Sequence, residues 1–374
     1  MRFALITSQA FSLVNFRGPL ISLLVVRGIE VFALAPDYDE QTRQSVLDLG
    51  AIPVDIQFNR TGMNPFIDVM SVVRLTKLLH RLNADVVLTY FIKPVIFGTF
   101  SAVMAGIPKR FCLIEGLGYV FISPEGREPI RRKILRVIVS VLYKLALRFA
   151  DKVFLLNDDD VAELVSRGLV QSNQVVKLGG IGVDLDEWAP AVSVTSPITF
   201  LLAARLLREK GVVEFAEAAR IVKRDYPEVR FVLLGGVDPN PGSLGVAQVA
   251  GWVSQGVLEW PGNVSVKSWF AQASVFVLPS FREGVPRSTQ EAMAMGRAVI
   301  TTDAPGCRET VINGHNGFLV PVRDVDALAQ AMIRFIKEPD LIESMGRASR
   351  LLAEERFDVH KVNAVMISAM GFDK

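Results

Sequence analysis

Short apolar runs alternate with stretches of helical period along the whole of this 374-residue chain. "RFALIT", "EVFALAP", "DVVLTYF", "RFCLIEG", "KVFLLN" and "VVKLGG" fall in the first half. "ITFLLAAR", "RFVLLGG", "SVFVLPS", "AVITTD" and "GFLVP" fall in the second. A strand that is apolar on both faces must be covered on both, and strands joined through helices run parallel. The expected fold class is therefore α/β, with two doubly wound, Rossmann-like domains. The length agrees, since it exceeds one ordinary domain. The stretch "VDLDEWAPAVSVTSP", 183–197, has no helical period and reads as a linker. The expected domains are 1–186 and 197–354, with a final helix in 355–374 that returns to the first. Ligands of such sheets bind outside the carboxyl ends of the strands, so two domains facing each other predict a cleft.

Composition removes several classes of function. Half of the residues are apolar and the net charge is only +2, which lacks the basic excess of a nucleic-acid binder. Two cysteines, Cys112 and Cys307, and three histidines make neither a disulfide framework nor a histidine metal cluster. No nucleic-acid partner, metal ion or cofactor is expected. The start, "MRFALITSQAF", reads as a first strand rather than a signal peptide, and no uncharged apolar run is long enough to span a bilayer. The expected location is the cytoplasm. Asp158, Asp159 and Asp160 look like a metal-binding DxD, but they follow Asn157 at a strand exit. Helix capping and the helix dipole explain them better.

Chemistry concentrates in "SFREGVPRSTQEAMAMG", 280–296, which places Glu283 and Glu291 between a strand exit and a helix start. Ser288 and Glu291 fit a capping box, which gives Glu291 a purely structural role, and Glu283 alone reads as a loop residue. The other strand exits of the second half change that reading. Arg205 follows one strand and Lys210 sits at a helix start, two cations that suit a diphosphate; taken alone they read as surface residues. Gly235 and Gly236 let backbone approach a flat ligand closely. Gly306 and Glu309 lie in the loop after another strand. An anion site, a glycine step and two carboxylates at one end of one sheet are the parts needed to hold a nucleotide sugar.

In the first half, Asn15 and Arg17 lie near the first helix start, where a basic residue and open N–H groups suit an acceptor diphosphate; an exposed helix-turn arginine is the alternative. Glu115 ends a strand, followed by Gly116 and Gly118. The stretch 126–149 carries Arg131, Arg132, Lys133 and Arg136 among Ile, Leu and Val. It reads as an amphipathic helix on an anionic bilayer, or as a core helix with a solvated basic edge. Its apolar residues are too many for a narrow core stripe, and the preceding "LGYVFI" adds more, which favours the bilayer.

The Glu283/Glu291 spacing, the Arg205/Lys210 pair, "GIGVDLDEW" at 180–188 and "NGHNGFLVP" at 313–321 together resemble the retaining GT-B glycosyltransferases of family 4. The resemblance covers essentially the whole chain. "LIEGLGYVFI", "GGVDPNP" and "DAPGCRE" are similar to bacterial members that extend sugars on undecaprenyl diphosphate, N-acetylgalactosaminyltransferases acting on undecaprenyl-diphospho-bacillosamine among them. The resemblance implies a UDP-sugar donor, a polyprenyl-diphosphate-linked saccharide acceptor and a peripheral position on the inner membrane face. It implies that Glu291 binds the ribose, Glu283 the donor sugar, and Arg205 and Lys210 the diphosphate. Gly284, Val285, Pro286 and Arg287 would give backbone contacts, and the base would lie near Gly235, Gly236 and Ser265. Many members carry a histidine where this chain has Glu115, and none of His80, His315 and His360 fits that place. Glu115 either contacts a sugar or acts as a weak base. The alternatives are a UDP-sugar 2-epimerase of the same fold, against which the basic helix argues, and a non-catalytic membrane-bound subunit, against which the intact four side chains argue.

Overall fold

The structure is a computed structural model that describes residues 1–58, 65–118, 121–122, 129–238, 240 and 242–373. Tyr119, Val120 and 126–128, part of the stretch expected to meet a membrane, lie outside the described residues. The chain forms two compact units, 1–181 with 362–374, and 182–361.

The first unit holds a seven-stranded parallel sheet. Its strands are β1 (Arg2–Ile6), β2 (Glu30–Ala35), β3 (Ile52–Asp55), β4 (Val86–Tyr90), β5 (Lys109–Ile114), β6 (Lys152–Leu155) and β7 (Val175–Lys177). Their order is β3-β2-β1-β4-β5-β6-β7. The direction of winding reverses between β1 and β4, which places the expected ligand end at their carboxyl termini. Right-handed crossovers then put the helices Pro65–Leu82, Thr99–Met104 and Ile130–Leu147 on one face of the sheet.

The second unit holds β8 (Thr199–Ala203), β9 (Arg230–Leu234), β10 (Glu259–Gly262), β11 (Val275–Leu278), β12 (Ala298–Thr302) and β13 (Gly317–Val320). The order is β10-β9-β8-β11-β12-β13, all parallel, with the reversal between β8 and β11. β8, β11 and β12 are buried at every residue, which is why they read as unbroken apolar runs.

The segment expected to be a free linker is irregular but is tied to the second unit, and the division falls at 181/182. Val183 bridges to Asp358, and Arg350 donates to the carbonyls of Trp188 at 3.1 Å and Ala294 at 2.8 Å. Arg297 donates to those of Ala191 and Val192. Carbonyls outside any ladder need such donors, and the guanidinium supplies several at once. The closing helix runs Val359–Ala369, and Phe372 beyond it meets the Phe3 ring edge-on in the first unit.

Candidate active site

In the second unit, main-chain locks bring four strand exits together. Gly211 has φ +70°, and a Cβ there would sit 2.2 Å from the Pro279 carbonyl oxygen. The Phe281 N–H donates to the Glu209 carbonyl at 2.9 Å. The exits of β8 and β11 are thus fixed to each other. Gly306, φ +76°, would place a Cβ 2.2 Å from the Gly284 oxygen, and the Glu283 N–H donates to the Pro305 oxygen at 3.0 Å, which adds the exit of β12. Gly235 is locked in the same way, since a Cβ there would sit 1.8 Å from the Ala204 oxygen, and it adds β9. Only glycine allows these approaches.

Three ion pairs stand on this frame. Lys210 Nζ lies 2.5 Å from Glu283 Oε1, with both side chains largely buried. Arg205 Nη1 lies 2.8 Å from Asp238 Oδ2; the carboxylate is buried and the guanidinium half exposed. Arg287 Nε lies 2.7 Å from Glu291 Oε1, one helical turn apart. Burial holds the Glu291 carboxyl above its ordinary range, and Arg287 pulls it back down.

The expected capping box is absent. The helix runs Arg287–Ala294 with Pro286 as its N-cap and no side-chain cap, so Ser288 already lies inside it. Pro286 directly precedes the first helical residue, Arg287, so the helix starts one residue before Ser288. Glu291 is therefore free of the structural role that the box would have given it. Gly284, Val285 and Pro286 are buried, and Gln290 Nε2 holds the Val285 carbonyl at 3.0 Å. Gly236 approaches Asn263, so the β9 and β10 exits adjoin, and Ser265 is exposed in the second of these loops. Asp238 escaped the sequence reading, although its aspartate at a strand exit, beside a glycine pair and before Pro239, was a usable signal.

In the first unit, Arg17 is neither an exposed helix-turn residue nor an open anion site: it is fully buried. Its Nη2 donates to Glu115, and its guanidinium stands 5.3 Å from the centre of the Tyr90 ring. Tyr90 continues a hydroxyl chain, with Ser12 Oγ at 2.7 Å and Thr7 Oγ1 a further 3.1 Å away. Burial raises the Tyr90 phenol well above its ordinary range, so it stays a neutral hydrogen-bonding group. Glu115 is thus the counter-ion of a buried arginine. Asn15 is exposed, donates to its own helix at Phe11 O, 2.9 Å, and does not join this group. Gly116 and Gly118 both have positive φ, 135° and 77°, and turn the chain directly after Glu115.

Asn157 caps the helix Asp158–Ser166 through the Asp160 N–H at 2.7 Å, as the sequence suggested. Arg131 and Lys133 are exposed on the helix Ile130–Leu147, while Arg132 and Arg136 are partly buried.

A sequence profile described as "Glycosyl transferases group 1" matches residues 197–338. The N,N'-diacetylbacillosaminyl-diphospho-undecaprenol alpha-1,3-N-acetylgalactosaminyltransferase of Campylobacter jejuni is 30% identical over 355 residues, 91% of each chain. The chain belongs to the group 1 glycosyltransferases. Solved structures agree on the fold of this glycosyltransferase. Sucrose-phosphate synthase from Thermosynechococcus elongatus superimposes with a TM-score of 0.79 at 19% identity, over 98% of both chains. Anabaena HepE, solved with UDP and glucose, gives 0.77 at 16%, over 99% of both. The architecture of the enzyme is GT-B, as the sequence suggested.

Proposed function

We propose that this glycosyltransferase moves N-acetylgalactosamine, with retention of configuration, from a UDP-sugar to a sugar carried on undecaprenyl diphosphate. The carrying observation is the Lys210–Glu283 pair at the β8 and β11 exits, 2.5 Å apart, beside Arg205–Asp238. A cation held by a sugar-binding carboxylate stands where negative charge grows on the departing UDP, and preorganised charge of that kind lowers the barrier. Asp238 fixes Arg205 in one orientation and leaves the half-exposed guanidinium edge for the diphosphate. Glu291 accepts the ribose hydroxyls. The acceptor preference follows the Campylobacter relative. Neither metal nor cofactor is assigned a step, because the two cations supply the charge.

On the acceptor side, Arg17 positions Glu115 next to the glycine turn at 116–118, and the carboxylate contacts a sugar hydroxyl. The enzyme works on the inner membrane face through the helix Ile130–Leu147. Its exposed Ile130, Ile134, Val137, Ile138, Val141 and Leu145 fall within about 100° of arc at 3.6 residues per turn. Arg131, Lys133 and Lys144 flank that stripe, and Val139, Tyr143 and Ala146 bury the opposite side. That is the distribution of a helix lying in a bilayer surface.

Glu291→Gln tests the donor site. The folded pKa of Glu291 is raised, so the native state holds its proton longer than the unfolded chain as pH rises. The stability it contributes is present at low pH and lost as pH climbs past the folded pKa. At neutral pH a neutral isostere is therefore expected to leave the unliganded enzyme as stable or more so. UDP affinity is expected to fall about thirtyfold with the loss of charged acceptors. Calorimetric titration with UDP reads it; unchanged affinity would remove Glu291 from the donor site.

A further inference from the structure

We infer that the helices Pro65–Leu82 and Ile130–Leu147 form one bilayer-docking platform on the first unit, with the first two turns of Pro65–Leu82 entering an anionic lipid surface. The platform presupposes the membrane contact proposed above for Ile130–Leu147 and adds to it a second element that inserts. Phe66 is 87% exposed, and Ile67, Val69, Met70 and Val73 are exposed with it. At 3.6 residues per turn these five share one side of the helix, opposite the buried Ser71, Leu75 and Leu79. The same side continues as Arg74, Lys77 and Arg81, all exposed. The helix is thus apolar at one end and basic at the other along a single face. A helix tilted into a bilayer from its first turn, with its last turns at the phosphates, needs that order.

The two helices lie on the same face of the sheet with Thr99–Met104 between them. Ser101 Oγ donates to the Val72 carbonyl at 3.2 Å on one side, and Val139 and Tyr143 share a core with Val95 and Ile96 on the other. Charge fits an anionic partner. Residues 65–82, 93–104 and 130–149 hold ten Lys and Arg and a single acid, Asp68. Asp68 is buried and paired to Lys93 at 2.8 Å, so it does not oppose the lipid. Both helices begin at the carboxyl ends of the strands, the end that carries Glu115. A lipid-linked acceptor docked there would enter beside its own membrane.

Vesicles of phosphatidylcholine, with and without phosphatidylglycerol, are the probe. Binding to the anionic vesicles is expected to weaken about thirtyfold in F66E/M70E, since two side chains lose their apolar burial. UDP affinity should be unchanged, because both residues belong to the first unit and the proposed donor-site residues all belong to the second. A nitroxide placed at Phe66→Cys is expected to become protected by lipid and one at Lys77→Cys to stay in water. Labelling is selective because Cys112 and Cys307 are buried. If I134E/V141E loses vesicle binding while F66E/M70E keeps it, the inserting role is overturned and the membrane reading survives. If the wild type binds neither vesicle, both fall. A wild-type dimer that F66E/M70E turns into monomers would assign the patch to a second copy and overturn the platform.

Discussion

Lys210→Ala is expected to lower kcat/KM for sugar transfer by about 10²–10³-fold, the usual cost of removing one preorganised charge from a developing anion. The loss should fall mainly on kcat, because the charge on UDP is greatest in the transition state. The variant also leaves the Glu283 carboxylate, mostly buried, without the partner that lies 2.5 Å away. Some loss of stability is therefore expected as well. The double variant K210A/E283Q separates the two effects. It should recover stability, since no charge is left unpaired, and recover no activity. Recovery of activity in the double variant would mean that the pair is structural. Steady-state kinetics with thermal unfolding of the three proteins checks all of this.

Arg297→Met is expected to be the largest destabilisation, about 3–5 kcal/mol. Arg297 is buried and donates to carbonyls of Ala191, Val192, Ala273 and Met295. Burial pushes its pKa down to about 10, still far enough above neutrality to keep the charge. Methionine fills similar space and offers no donor, so several carbonyls lose their partners at once. For a unit of this size the unfolding midpoint should drop by about 10 °C. Arg297→Lys should recover only part, because an ammonium cannot reach three segments in one plane. A midpoint unchanged in Arg297→Met would show that the 183–197 segment is not held by this residue.

That segment shows where the sequence stopped being legible. Its composition announced irregular backbone, which is what it is, but not the two arginines, 297 and 350, that fasten it to the second unit. Side chains more than a hundred residues away carry no signal in a local window. The strands divide in the same way. Eleven apolar runs were readable, whereas β3 and β10 were not, and both lie at sheet edges. An edge strand is covered on fewer sides, and "IPVD" and "EWPG" each carry a proline that an edge tolerates.

At the site, the residue types and spacing of Glu283, Glu291, Arg205 and Lys210 were readable, and their pairing was not. Pairing depends on Gly211, Gly235 and Gly306 holding the strand exits against one another, a matter of main-chain contact. Ser288 was misread as a cap because Pro286, not the serine, sets the helix start. In sequence Arg17 reads as an anion-site or exposed helix-turn cation, since nothing local reveals that Tyr90 of β4 and Glu115, just past β5, enclose it.

The most direct test of the central claim is UDP release by the purified protein across a panel of UDP-sugars, with and without an undecaprenyl-diphosphate monosaccharide, with the product anomer read by proton NMR. The account predicts release from UDP-N-acetylgalactosamine that requires the lipid-linked acceptor and gives a product of retained configuration. Release from no UDP-sugar, or release indifferent to the lipid-linked acceptor, would contradict it.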